Sequence, residues 1–173
     1  MQQKITSTTV KGFIIGLIMI AVSLTASFSG IEASGAFQWV IYCIFFAGII
    51  VSIYQFGKQV NHNSTFGNYF AHGFKTSAMV TILMIAFLVI FMTVFPEFKE
   101  KAMDEAKKSM SSKNLSTDQI EKALDLTKKF FMVFLIGGAL LGYLLFGAIA
   151  SLIGAAVTKK DPRPIDDINQ IGQ

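Results

Sequence analysis

The sequence predicts an all-α integral membrane protein, a bundle of four transmembrane helices with an extramembrane helical hairpin between the third and the fourth. Two observations carry this. Charged residues make up only 15% of the 173, against roughly 25% in an average globular protein, and hydrophobic residues reach 53%. The charges are also segregated. Stretches 12–31, 33–57, 76–96 and 130–158 hold none and together account for 95 residues, so all 15 basic and 11 acidic side chains and both histidines lie in the remaining 78. Each stretch supplies the roughly 20 residues that a helix rising about 1.5 Å per residue needs to cross a hydrocarbon core about 30 Å thick. None alternates apolar and polar residues as the strands of a membrane barrel do. Such segregation sets aside a soluble domain and a nucleic-acid binder, and the single cysteine, Cys43, sets aside a disulfide scaffold.

The first crossing is expected from about Gly12 to Phe28. Lys4 and Lys11 before it and Ala26-Ser27-Phe28-Ser29-Gly30 after it also resemble a secretory signal peptide, but no clean Ala-x-Ala site is present, and the uncleaved crossing is preferred. The second is expected from about Phe37 to Phe56, with the only tryptophan, Trp39, near its start as an interfacial anchor. Phe66, Tyr69, Phe70 and Phe74 then recur at helical spacing. They predict an amphipathic turn or two among the lipid headgroups ahead of the third crossing, which runs from about Ser77 to Phe95 and stops against Pro96. The fourth, from Phe130 to about Val157, is longer than a perpendicular crossing needs, so it tilts or leaves the lipid in its last turn.

Residues 97–129 carry the soluble character. Pro96 is suited to a first helical turn, whose N–H groups are unpaired anyway. Phe98, Ala102, Ala106 and Met110, with Met103 beside them, then form an apolar stripe. Ser111-Ser112-Lys113-Asn114 reads as a turn and Ser116-Thr117-Asp118-Gln119 as a capping box. Ile120, Ala123, Leu124 and Thr127 make a second stripe leading into Phe130. The pattern predicts a helical hairpin whose second arm continues into the fourth crossing, either a solvated connector or a docking surface. The membrane domain thus covers 1–160. Residues 161–173, opened by Asp161-Pro162-Arg163-Pro164, are expected to form a disordered cytoplasmic tail.

Basic residues near the crossings set orientation. With the N-terminus inside, the cytoplasmic side carries Lys4, Lys11, Lys58, Lys75, Lys159, Lys160 and Arg163, seven in all, against eight lysines in 97–129. The total is indecisive, but the first crossing has two lysines before it and only Glu32 after it, and the eight are offset by seven acids. Both termini are therefore expected in the cytoplasm.

Little chemistry is visible. Metal binding needs three or four spaced ligands, and His62, His72 and Cys43 do not supply them, so both histidines read as surface or interfacial. No base lies beside a nucleophile within the crossings, and no nucleotide-binding loop occurs. The expectation is a non-enzymatic protein without cofactor or metal. No ionisable group falls inside the charge-free stretches, which argues against proton-coupled transport. Ser23, Thr25, Ser52, Thr81, Thr93, Tyr143 and Ser151 suit hydrogen bonds between helices. Gly12 and Gly16 form one GxxxG pair and Gly138 and Gly142 another, with Gly147, Ser151 and Ala155 continuing the spacing. These residues let helix backbones approach closely, within the chain or with another membrane protein.

Several segments together resemble a known family. They are Thr65-Phe66-Gly67-Asn68-Tyr69-Phe70-Ala71-His72-Gly73-Phe74, Phe95-Pro96-Glu97-Phe98, Leu115-Ser116-Thr117-Asp118-Gln119-Ile120-Glu121, and a small-residue last helix ending in Lys159-Lys160. In this order they resemble the bacterial family known as domain of unknown function 4199, over nearly the whole chain. The resemblance implies a bacterial inner-membrane protein and brings no catalytic residue with it. The functional expectation is an accessory or structural subunit whose partners are the lipid bilayer and a second copy or another membrane protein; a small passive channel or transporter is the alternative.

Overall fold

The computed structural model describes residues 6–29, 35–111 and 117–158. Lys4, Glu32, the turn at 112–114, the capping Ser116, Lys159, Lys160, Arg163 and the tail 161–173 lie outside them. The described residues form five helices and no strand: α1 (Thr8–Ser29), α2 (Gly35–Gln59), α3 (Phe66–Val94), α4 (Pro96–Ser111) and α5 (Thr117–Val157). All but α4 are long and apolar enough to cross a membrane.

Side-chain caps set the boundaries. Ser7 caps α1 by accepting from the Thr9 N–H at 3.2 Å, and Thr65 caps α3 by accepting from the Asn68 N–H at 3.3 Å. At the end of α2, the Asn61 N–H donates to the Lys58 carbonyl and the His62 N–H to the Gly57 carbonyl, closing a Schellman motif. Asn61 and His62 there take positive φ, 49° and 55°, a region that asparagine and histidine tolerate better than most residues. Pro96 opens α4 in its first turn. α5 carries both the second polar arm and the apolar stretch, with a kink between them. Its one departure from helical dihedrals, φ −109° and ψ 16°, falls at Phe130, where the sequence places the start of the fourth crossing.

The chain divides into two compact units, one from Met1–Thr81 and Tyr143–Gln173, the other from Ile82–Gly142. In the first, α1 buries Lys11, Gly12, Ile15, Gly16 and Met19 along one face. A Cβ on Gly12 would sit 2.8 Å from the Met79 Cβ and 2.9 Å from the Thr76 carbonyl oxygen, so α1 and α3 approach backbone to backbone. A Cβ on Gly147 would meet the Ser77 Oγ at 2.5 Å, so the Ser77 side chain of α3 packs directly on the α5 backbone. Ser151, one turn further, is fully buried. Gly142 is half-buried, whereas Gly138 is exposed, and a Cβ added to it would meet nothing within 4 Å. The two halves of the fourth-helix glycine series therefore have different surroundings.

The interior of this unit mixes polar groups with the fully buried Met19, Phe45, Ile49, Ile53 and Val80, and many large apolar side chains face outward. Lys11, Ser52, His72, Thr76, Ser77, Thr81 and Ser151 are buried, while Phe13, Ile14, Leu17, Ile18, Val51, Leu145, Ile149 and Leu152 are exposed. A third or less of each apolar window is buried. The second unit is different. Its interior is apolar, from Met84, Phe91 and Phe131, and Phe91 contacts the rings of Phe87, Phe95 and Phe98 at centroid distances of 4.9–5.5 Å. Lys99 Nζ lies over the Phe131 ring at 5.5 Å. Both predicted stripes of the polar arms are half-buried while the charged residues between them are exposed.

Gly147→Ala and Gly138→Ala should therefore move stability in opposite directions in detergent denaturation. The first forces a Cβ against Ser77 and is expected to cost about 1–3 kcal/mol. The second meets open space and is expected to gain up to about 1 kcal/mol from helix propensity.

Candidate functional site

One polar cluster joins three helices of the first unit. Lys11 lies on the buried face of α1, four residues before Ile15 and eight before Met19. Its side chain reaches Ser52 on α2 and His72 on α3. Lys11 Nζ donates to the Ser52 carbonyl at 3.1 Å and lies 3.4 Å from His72 Nε2. Ser52 Oγ is also 3.4 Å from Nε2 and lies 3.3 Å from Thr76 Oγ1, which donates to the His72 carbonyl at 2.8 Å. The amine, imidazole and two hydroxyls thus touch one another within a single patch.

Aromatic rings wall the patch. The His72 ring stacks on Phe56 at a centroid distance of 4.2 Å with 9° between planes, and Tyr69 meets Phe56 edge-on at 5.9 Å. Tyr69 is 0% exposed, and its hydroxyl has no hydrogen-bond partner among the described residues. Towards the ends of the same helices, Thr6 and Gln59 exchange two hydrogen bonds: the Thr6 N–H donates to Gln59 Oε1 and Gln59 Nε2 to Thr6 Oγ1. That reciprocal pair ties the start of α1 to the end of α2.

The electrostatics are one-sided. The described residues of the first unit include no aspartate or glutamate. Their lysines are Lys11, Lys58 and Lys75, and the last two are exposed. Lys58 Nζ sits 4.7 Å above the Tyr54 ring, an outward disposition for a long amphipathic side chain. Lys11, at 5% exposure, is held by a carbonyl and an imidazole with no carboxylate within ion-pairing distance among the described residues. Most buried charges are paired with an opposite charge, which makes this arrangement unusual.

Three expectations from the sequence are corrected here. His72, expected at a surface or interface, is 7% exposed. Lys11, expected as a flank of the first crossing, is a buried residue inside α1. Both errors arise from using the nearest charge as a helix boundary: the caps start α1 at Thr8 and α3 at Phe66, before the charge-free windows begin. Tyr69, expected as an interfacial anchor, is enclosed by the unit, whereas Trp39 at 64% and Phe66 at 41% are exposed, and Phe70 and Phe74 stack on each other half-buried. The aromatic segment is part of α3 itself. A helical spacing that groups Tyr69, His72, Gly73, Thr76 and Val80 on one face was the signal available in the sequence.

The hydroxyl groups also behave differently from expectation. Thr25, Thr81, Thr93 and Ser151 each donate to a carbonyl four residues back in their own helix. Among the expected interhelical hydroxyls, Ser52 contacts polar groups of another helix. Intrahelical bonding satisfies a buried hydroxyl without a partner across the interface. His62, Cys43 and His72 do not form a metal-binding group: no set of three or more His, Cys, Asp or Glu side chains gathers among the described residues.

These features define an all-helical chain, over the described residues, with four helices long and apolar enough for a membrane and a polar interior in one unit. Its family follows from comparison. Residues 11–160 match the family described as "Protein of unknown function (DUF4199)", and the chain belongs to it. No curated protein and no solved structure matches the chain.

Removal of the imidazole should expose what it contributes. His72→Ala strips Lys11 of one of its two partners and Phe56 of its stacked ring. A loss on the order of 1–3 kcal/mol in detergent denaturation is expected, with a smaller loss for His72→Gln, which keeps a polar group.

Proposed function

We propose that the chain is a multi-pass protein of the bacterial cytoplasmic membrane that acts as a non-enzymatic accessory or structural subunit. Its four long helices lie in lipid, both termini are cytoplasmic, and 97–129 forms a helical hairpin on the other side. The observation that carries the membrane assignment is the apolar outer surface of the first unit. Water would penalise the exposed Phe13, Ile14, Leu17, Leu145, Ile149 and Leu152, whereas hydrocarbon does not, and helices that satisfy their own backbone are the form that lipid permits.

The subunit role is supported by the exposed Gly138 on α5, flanked by the exposed Phe134 and Leu141. A glycine there lets a second helix approach closely. The hairpin offers a second contact surface beyond the lipid. A small channel or transporter is the rival reading, and the buried cluster around Lys11 and His72 favours it, because ionisable groups inside membrane helices commonly mark transport pathways.

Crosslinking in native membranes before mild-detergent purification is expected to recover a homo-oligomer or a stoichiometric partner, diminished by Gly138→Leu. A monomer under all such conditions contradicts the subunit reading. Solute flux in reconstituted vesicles that Lys11→Met abolishes would establish the transporter instead. Orientation is read with Cys43→Ser combined with Lys113→Cys: a membrane-impermeant thiol reagent should label the new cysteine in intact cells, and labelling only after lysis reverses the topology.

A further inference from the structure

We propose that the Lys11–His72 pair is a proton-binding site inside the first unit, and that proton uptake at His72 Nε2 releases α1 from α3 at this end of the unit. The inference goes beyond the subunit reading and rests on the membrane assignment only for the medium around the helices.

The cluster's hydrogen-bond inventory leads to this site. Thr76 spends its single hydroxyl proton on the His72 carbonyl. Ser52 Oγ, with one proton of its own, faces both Thr76 Oγ1 and His72 Nε2. A charged Lys11 donates to the Ser52 carbonyl and, with His72 protonated on Nδ1, to Nε2 as well. Nε2 is then the acceptor that links α1 to α3 through this patch. A proton arriving on Nε2 removes that acceptor, sets an N–H against an ammonium N–H at 3.4 Å, and makes both partners cationic. Lys11 keeps only the Ser52 carbonyl. The attraction across the α1–α3 contact becomes repulsion.

The ligand is a proton because of the packing and the surrounding charge. The polar atoms are 3.1–3.4 Å from one another, which leaves no space between them for an oxyanion or a hydrated ion. No carboxylate among the unit's described residues can neutralise the added charge. The unit's other described charged or titratable groups are Lys75 and Tyr69 on α3, Tyr42, Cys43, Tyr54 and Lys58 on α2, His62 just after it and Tyr143 on α5, which from Tyr143 to Thr158 adds no charged side chain. Lys75 and Lys58 are exposed and cationic, so they add to the repulsion. Tyr69 is neutral in the range concerned and carries no compensating charge. The segment that would move is short: Ser7, Thr8 and Thr9 separate Lys11's turn from Thr6, whose exchange with Gln59 is the next tie to α2.

The test uses the full chain in lipid vesicles, with Cys43→Ser and spin labels on cysteines introduced at Thr9 in α1 and Gly67 in α3, both exposed. Pulsed electron–electron distances are measured from about pH 8 to about pH 3, a range that starts above the ordinary imidazole transition and continues well below it. The expected result is a reversible lengthening on acidification by about 5 Å, one helical turn. Lys11→Met and His72→Gln should each abolish it, and Lys75→Gln should leave it in place. An unchanged distance in the parent protein, or equal lengthening with Lys11→Met and His72→Gln, overturns the proposal. Circular dichroism at about pH 8 establishes that each variant is folded, and the parent result decides by itself if one is not. Alkaline carbonate extraction is run on the same vesicles. Release of the chain defeats the membrane assignment, and the distance measurement on the released protein still decides the proton site.

Discussion

The first unit depends on admitting small and polar side chains to an interior that also holds Met19, Phe45, Ile49, Ile53 and Val80, while other large apolar side chains face outward. This arrangement costs little because most of the buried hydroxyls are already satisfied. Thr76, Thr81, Ser151 and Thr158 donate to carbonyls one turn back in their own helices, so each can face a neighbour without a partner on it. Their small size then allows the close approaches made at Gly12 and Gly147. Dispersion contacts at these close approaches add to those of the buried Met19, Phe45, Ile49, Ile53 and Val80. The second unit buries Phe91 and Phe131 and exposes the charged residues of its polar arms, while Ile82, Ile90, Val94, Val133, Phe134 and Leu141 of its apolar stretches also face outward.

The number of long helices was legible in the sequence because the signal, absence of charge, persists over 20 residues or more. Their starts were not. A lysine marks the edge of a charge-free stretch but not of a helix: Lys11 is the fourth residue of α1, and α3 begins eleven residues ahead of Ser77. The decisive residues were Ser7 and Thr65, whose capping role depends on a backbone turn that composition does not encode. The stripes of 97–129 were legible down to individual residues, since amphipathic periodicity is a local property. So was the change of character at Phe130, where the helix departs from regular dihedrals.

The site was much less legible, for a related reason. Lys11, Ser52, His72 and Thr76 come from three helices, and each alone has a bland explanation: a flank, a packing hydroxyl, an interfacial histidine, a back-bonded threonine. Only tertiary packing distinguishes a lysine that extends outward along a helix, as Lys58 does over Tyr54, from one turned inward to a carbonyl. The glycines show the same limit. Spacing places Gly138 and Gly147 in comparable small-residue patterns, but one faces open space and the other Ser77, and no pattern within α5 reveals which face has a neighbour.

The two ends of α1 are held by different forces. Near its start, directional contacts dominate: the Thr6–Gln59 exchange, the Lys11 bond to the Ser52 carbonyl and the close approach of Gly12 to Thr76 and Met79. Near its end, Ala21, Val22, Thr25, Ala26 and Ser29 border an open groove of about 320 Å³ with Phe37 of α2, and Thr25 turns its hydroxyl back on its own helix. Apolar contact with small side chains has little directional preference and tolerates sliding, whereas hydrogen bonds at about 3 Å do not. The register of α1 against α2 and α3 is accordingly set at the lysine end. A charge or hydrogen-bond change in a handful of atoms there acts on the contacts that fix the helix, while the same change at the groove would find nothing of that kind to break.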